Sequence, residues 1–218
     1  MKIYDLVIFD MDGTIMDTSE GIINCHNEVA KSLGKNTIDS KEYVKKGIIG
    51  YPLPKGFKDH YNMNDDEVIK AVEMYKKLYA EKGIYEASLY KGFPELLKGL
   101  KENGIKTAVA TLKIEKFAKI MLEESGIFNY FDVIYGADSK CNYTKKDLIN
   151  KVIETLNISK DKVVLVGDSS FDAEGANLTG IDFIGVYYGL GFQNSIQVEN
   201  GYHTYHAGSV EDLKNILL

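Results

Sequence analysis

A chain of 218 residues, 44% of them hydrophobic, has enough apolar material for one sizeable core with room for a smaller insertion. Its formal net charge of −6 argues against a nucleic-acid partner, because phosphate backbones are bound by surfaces basic enough to displace their counterions. All 26 strong cations are lysines, so a bound anion must be held by point charges, backbone amides or a metal rather than by a guanidinium fork.

The chain opens directly into an apolar run, without a basic leader, and no later run approaches the roughly 18 apolar residues of a membrane span. Two cysteines, Cys25 and Cys141, lack the spacing of a disulfide framework. The expectation is a cytoplasmic, soluble protein with no membrane partner, existing as a monomer or a weak homodimer.

Leu6-Val7-Ile8-Phe9 predicts a strand buried on both faces of a parallel sheet, and it runs straight into Asp10-Met11-Asp12-Gly13-Thr14. Open α/β folds place their ligand crevice at the carboxyl ends of such strands, which makes Asp10 and Asp12 candidates for chemistry. Asp17 to Glu20 reads as a helix start, and Ile22, Ile23, His26, Val29, Ala30 and Leu33 recur at helical spacing until Gly34. His26, on or beside that stripe, is read as a core or boundary histidine rather than a ligand. A short helix over 42–46, a break at 50–54 and a long helix over 65–82 complete an all-helical insertion spanning residues 16–85.

The pattern then alternates. Helices are predicted over 94–103, 115–125, 145–156, 171–179 and 210–217, and strands over 105–110, 133–135, 163–166 and 183–186, with a further short strand near Tyr205. Such alternation predicts an α/β, doubly wound, Rossmann-like parallel sheet built from residues 1–15 and 86–218. Each predicted strand end carries a polar group: Asp10 and Asp12, then Thr111, then Lys145 opening a helix, then Gly167-Asp168-Ser169-Ser170-Phe171-Asp172. Carboxylates gathered at one sheet edge repel one another. A hard oxygen set of this kind suits Mg²⁺ with retained waters, and a lysine and a threonine beside it suit a phosphoryl group. Phosphoryl transfer is the reaction class that uses all of them.

Those residues, in that order and with a helical insertion directly after the first, resemble the four motifs of the haloacid dehalogenase-like (HAD) superfamily. Asp17-Thr18, Gly50 with Pro52, and Tyr188-Gly189-Leu190-Gly191 extend the similarity along the chain. The position of the insertion is similar to the subgroup that contains phosphoglycolate phosphatases, pyrophosphatases and β-phosphoglucomutase. The resemblance implies that residues 16–85 form a cap and that Asp10 is the nucleophile and a metal ligand. It implies Asp12 as general acid and base, its backbone carbonyl joining the metal shell. Thr111 and Lys145 would bind the phosphoryl oxygens. Asp168 would be the second side-chain metal ligand, with Asp172 orienting Lys145 or metal-bound water.

The chain departs from the family pattern twice. Lys145 is followed by Lys146 rather than proline, and Lys145 is taken as the motif's lysine with Lys146 its solvated neighbour. Leu112 stands where an asparagine is common, and Lys113 is expected to begin a surface helix, with a second anionic group as its alternative use. His203 and His206 are read as edge decoration, and 192–194 as a turn near the site.

The implied function is a Mg²⁺-dependent phosphatase acting on a small phosphomonoester (phosphoglycolate-like, a sugar phosphate or a nucleotide) through an aspartyl-phosphate. The alternatives are a pyrophosphatase, a β-phosphoglucomutase-type mutase, and a non-catalytic phosphoacceptor module. A mutase must grip a second phosphate without arginine, leaving Lys45, Lys46, Lys55 and Lys58 as point charges.

Overall fold

The computed structural model describes residues 4–49, 51–138 and 143–218, and of Val44 the backbone alone. Cys141 and Gly50 lie outside the described residues. The strands are β1 (Leu6–Phe9), β2 (Met16–Asp17), β3 (Ser88–Leu89), β4 (Lys106–Ile114), β5 (Val133–Ala137), β6 (Val163–Gly167), β7 (Asp182–Val186) and β8 (Tyr205–Ala207). The helices are α1 (Ser19–Ser32), α2 (Ser40–Lys45), α3 (Leu53–Tyr61), α4 (Asp65–Glu81), α5 (Phe93–Glu102), α6 (Glu115–Glu124), α7 (Lys145–Leu156), α8 (Ser170–Thr179), α9 (Ser195–Glu199) and α10 (Val210–Leu217).

Six strands form a sheet in the order β5-β4-β1-β6-β7-β8, and every neighbouring pair is parallel. This is the doubly wound α/β architecture expected from the alternation. The central position of β1 explains its composition: a strand with a strand on each side and helices on both faces has no solvated surface. All four of its side chains are fully buried. Leu6 and Ile8 join Leu148, Ile149 and Val152 of α7 and Phe183 of β7 in one core. Phe9, on the other face, meets Phe93 of α5 edge-on, with ring centroids 5.3 Å apart. Each such side chain contributes about 1.5–3 kcal/mol by leaving water, so β1 is anchored from both faces.

The contacts divide the chain into two compact units, Met1–Asp17 with Leu89–Leu218, and Thr18–Ser88. Within the second, His26 is buried in an aromatic nest, its ring 4.8 Å from Phe57, 4.5 Å from Tyr75 and stacked on Tyr61 at 6.1 Å. Its Nδ1 lies 2.9 Å from both the Ile22 carbonyl oxygen and the Tyr43 hydroxyl. The histidine is a core residue, as its place on the apolar stripe suggested.

Two local expectations need correction, and one short helix was not foreseen. The segment 50–54 was expected only as a break, yet α3 starts at Leu53, because Pro54 falls in the first turn, where its missing N–H is no loss. The five-residue helix α9 follows Asn194, whose side chain accepts the Gln197 N–H as a cap. Most consequential, β4 does not end at Thr111 but continues to Ile114, its pairing with β5 shifting register between Thr111 and Ile114. No helix among the described residues is long and apolar enough to cross a membrane.

Candidate active site

Asp10 and Asp12 leave the carboxyl end of β1, the middle strand, and the other candidates come from its two neighbours and from the helices behind them. The Asp10 N–H donates to the Val166 carbonyl of β6 at 2.9 Å, carrying the sheet pairing one residue past the strand. Gly13 then turns the chain at φ +77°, a conformation that strains any L side chain. A Cβ there would also collide with the Asp168 carboxylate. The glycine thus serves both the turn and the close approach.

Lys145 is the first residue of α7, whose start is fixed by a reciprocal cap: the Thr144 hydroxyl accepts the Asp147 N–H, and Asp147 accepts the Thr144 N–H. From there the Lys145 side chain runs over Gly175 of α8, where a Cβ would overlap its stem. Its Nζ donates to Asp10 Oδ1 at 2.6 Å and to the Ala110 carbonyl at 3.0 Å, and lies 2.7 Å from Asp172 Oδ1. Lys146, by contrast, is exposed. Burial works against the Lys145 charge, but Asp10 and Asp172 outweigh it and hold its pKa above the ordinary value.

Asp172 is the third residue of α8. Its Oδ2 accepts the Ser169 N–H at 3.1 Å and the Ser169 hydroxyl at 2.5 Å, closing a second reciprocal cap, while Oδ1 faces Lys145. Asp168, at the end of β6, is held differently. Its Oδ2 accepts the N–H groups of Leu190 and Gly191, each at 2.8 Å. That contact gives the Tyr188-Gly189-Leu190-Gly191 stretch a structural use that side-chain reasoning cannot see, since the donors are backbone amides. Next to it, the Tyr188 hydroxyl donates to the Thr14 carbonyl at 2.9 Å.

Asp10, Asp168 and Asp172 each offer one carboxylate oxygen, and these atoms lie within 4.8 Å of one another, a set able to hold a metal ion. Burial first, then Asp172 and Asp12, push Asp10 up to about 6 against the opposing pull of Lys145. Burial, Asp172 and Asp10 push Asp168 well above the carboxylate range, against the two amide hydrogen bonds. Burial is the largest cause of both shifts, and the neighbouring carboxylates add to it.

Thr111 is buried on β4, its hydroxyl accepting the Lys113 N–H at 3.2 Å. Lys113, expected at the start of a surface helix, belongs instead to β4, with its Nζ 3.0 Å from Asp12 Oδ1. No local signal gave this placement, because Lys113 lies in the irregularity between Thr111 and Ile114, where simple strand alternation does not hold. Counting the acids Asp10, Asp12, Asp168 and Asp172 against Lys113 and Lys145 leaves a formal charge of two negative units among these six side chains. A hard, buried oxygen set with that imbalance fits a divalent cation. His206 pairs with Glu199 at 3.3 Å and His203 contacts the Gly201 carbonyl, both away from this set, as their edge position suggested.

The haloacid dehalogenase-like hydrolase family model matches residues 7–186. The chain belongs to this family. It is 29% identical to a 5'-nucleotidase of Pseudomonas aeruginosa over 98% of this chain and 96% of the relative. It is 30% identical to the tyrosine-protein kinase PtkA of Mycobacterium tuberculosis over 97% of this chain and 72% of the relative. The crystal structure of a predicted phosphatase from Clostridium acetobutylicum superposes with a TM-score of 0.91 at 32% identity, covering 99% of both chains. The HAD-like hydrolase described here is accordingly an enzyme, a phosphohydrolase of that family.

Proposed function

We propose that this enzyme is a Mg²⁺-dependent phosphatase that hydrolyses a small phosphomonoester through a phosphoaspartate on Asp10. The observation that carries the reading is the Lys145 ammonium, 2.6 Å from Asp10 Oδ1 and 2.7 Å from Asp172 Oδ1, at the edge of a three-carboxylate cluster. Asp10, Asp168 and the backbone carbonyl of Asp12 hold the cation in this reading, with Asp172 beside them. A cation bound there would supply positive charge against the phosphoryl oxygens.

The residues of the chain do the rest. Asp10 supplies the attacking oxygen. Lys145 and the Thr111 hydroxyl bind the non-bridging oxygens of the phosphoryl group. Asp12, two residues further along the chain, gives its proton to the leaving oxygen and later takes one from the attacking water. The helical unit Thr18–Ser88 takes the role of a cap that selects the leaving group. Of its four candidate lysines, Lys46, Lys55 and Lys58 pair with Glu42, Asp59 and Asp65 of the same unit and Lys45 is exposed; without an arginine among them, these point charges favour a hydrolase over a mutase that must grip a second phosphate.

The test is release of inorganic phosphate from p-nitrophenyl phosphate with and without Mg²⁺. Asp10→Asn is expected to abolish turnover. Full activity in that variant, or in excess chelator, overturns the reading. Comparison of kcat/KM across nucleoside monophosphates, sugar phosphates, phosphoglycolate and pyrophosphate then assigns the substrate class.

A further inference from the structure

Lys113 has no part in the reaction as set out above, yet its side chain is only 6% exposed and faces an Asp12 side chain only 14% exposed. The sheet delivers it there. Phe9 of β1 lies opposite Val109 of β4, so the residues that follow Val109 run alongside the turn that carries Asp10 and Asp12. Continuation of β4 beyond Thr111, through the register shift, keeps Lys113 beside the site instead of releasing it into a surface helix. Burying an ammonium costs desolvation that the same lysine would avoid on the surface, and the nearby carboxylate offsets it.

We propose that Lys113 is a positioning residue: it fixes the Asp12 carboxyl group in the orientation from which Asp12 exchanges a proton with the leaving group. The inference rests on the assignment of Asp12 as general acid. In the first step an Asp10 oxygen bonds to phosphorus while the bond from phosphorus to the leaving oxygen breaks. The electron pair stays on the leaving oxygen, and the Asp12 proton completes the alcohol. In the second step water attacks the phosphoaspartate, the carboxylate of Asp10 departs, and Asp12 recovers a proton from that water. A charged lysine has three donors and no acceptor, so Lys113 acts through Asp12 rather than in its place. The ion pair holds Oδ1 on the Lys113 side and leaves Oδ2 to carry the proton.

The test is a series of phosphate esters graded by leaving group, from alkyl phosphates through phenyl phosphate to acetyl phosphate, whose acetate leaves without a proton. In Lys113→Met, the single-turnover rate at which alkyl phosphates transfer their phosphoryl group to Asp10 is expected to fall at least about tenfold, a fraction of what an intact general acid supplies, whereas the later hydrolysis of the phosphoaspartate is common to every ester. Toward acetyl phosphate it should change less than about threefold, with KM little altered throughout. An equal loss across the series overturns the proposal, and so does a loss carried by KM, which would make Lys113 an anchor for substrate charge. In an Asp12→Asn background the same substitution should add nothing, since the two residues act as one unit; an undiminished further loss overturns it. Should Lys113→Met fail to fold by circular dichroism, Lys113→Gln is read in the same series. A wild-type enzyme inactive on every ester with Mg²⁺, or an active Asp10→Asn variant, would instead remove the underlying reading of the site.

Discussion

Lys145 and Asp10 stand 135 positions apart in the chain and meet at 2.6 Å with side chains 5% and 11% exposed. Removing the cation strands two buried acids, Asp10 and Asp172, which share it. Lys145→Met should lower unfolding free energy by about 3–5 kcal/mol in metal-free buffer, the usual result of breaking a buried pair from one side. Urea denaturation measures it. The double variant Lys145→Met with Asp172→Asn should recover part of the loss, and an unchanged midpoint in the single variant would show the pair to be energetically idle.

Addition of Mg²⁺ should stabilise the enzyme, because the cluster of Asp10, Asp168 and Asp172 exists only in the folded chain. At a concentration about 100 times its dissociation constant the gain is about 2.7 kcal/mol. A thermal melt with and without Mg²⁺ reads it. Asp168→Asn should lose most of the shift, and a shift of full size in that variant would place the cation elsewhere.

Gly13→Ala should lose activity and Mg²⁺-induced stabilisation together. Its left-handed backbone at φ +77° costs an alanine about 1–2 kcal/mol, and the added methyl displaces the Asp168 carboxylate. Isothermal calorimetry with Mg²⁺ separates this from simple destabilisation: a stable variant of undiminished affinity would clear Asp168 of dependence on the turn.

Acidification should weaken the helical unit through His26. Burial lowers its pKa to about 4, from an ordinary value near 6.5. The unfolded chain therefore takes up a proton between those values while the folded one does not, and stability falls as pH drops through that window. At about 1.4 kcal/mol per pH unit, the loss near pH 5 is about 2 kcal/mol relative to pH 7.5, and it levels off below pH 4. Denaturation of wild type and His26→Leu at the two pH values tests it, since the variant should lack this component.

The sheet was legible because its signals are local. Leu6 to Phe9 has no polar residue to place in water, and the caps of α7 and α8 are written out as Thr144-x-x-Asp147 and Ser169-x-x-Asp172. The expectation that Asp10, Thr111, Lys145 and Asp168 gather rested on their places at or after the carboxyl ends of predicted parallel strands. What stayed hidden depends on other parts of the chain. The grip of Leu190 and Gly191 on Asp168 uses backbone donors, which residue identity does not encode. Lys113 was assigned to the surface because lysine normally belongs there, and only the β4 bulge and the Asp12 carboxylate reverse that preference. Similarly, Pro52 and Pro54 read as punctuation although the second sits in the one turn of a helix that tolerates it.

The central place of β1 also sets the order in which the molecule is made. Leu6 pairs with Lys106 on one side and Val163 on the other, and no nearer part of the chain offers it a neighbour in the sheet. At roughly 5–20 residues per second, a ribosome needs on the order of 5–20 s after β1 before its first partner is synthesised. During that interval a four-residue apolar strand waits with both edges open, a shape prone to pairing with other chains. The helices of Thr18–Ser88, which rely on contacts among themselves, can form meanwhile. Lengthening that insertion would prolong the wait, so its size bears on aggregation during synthesis.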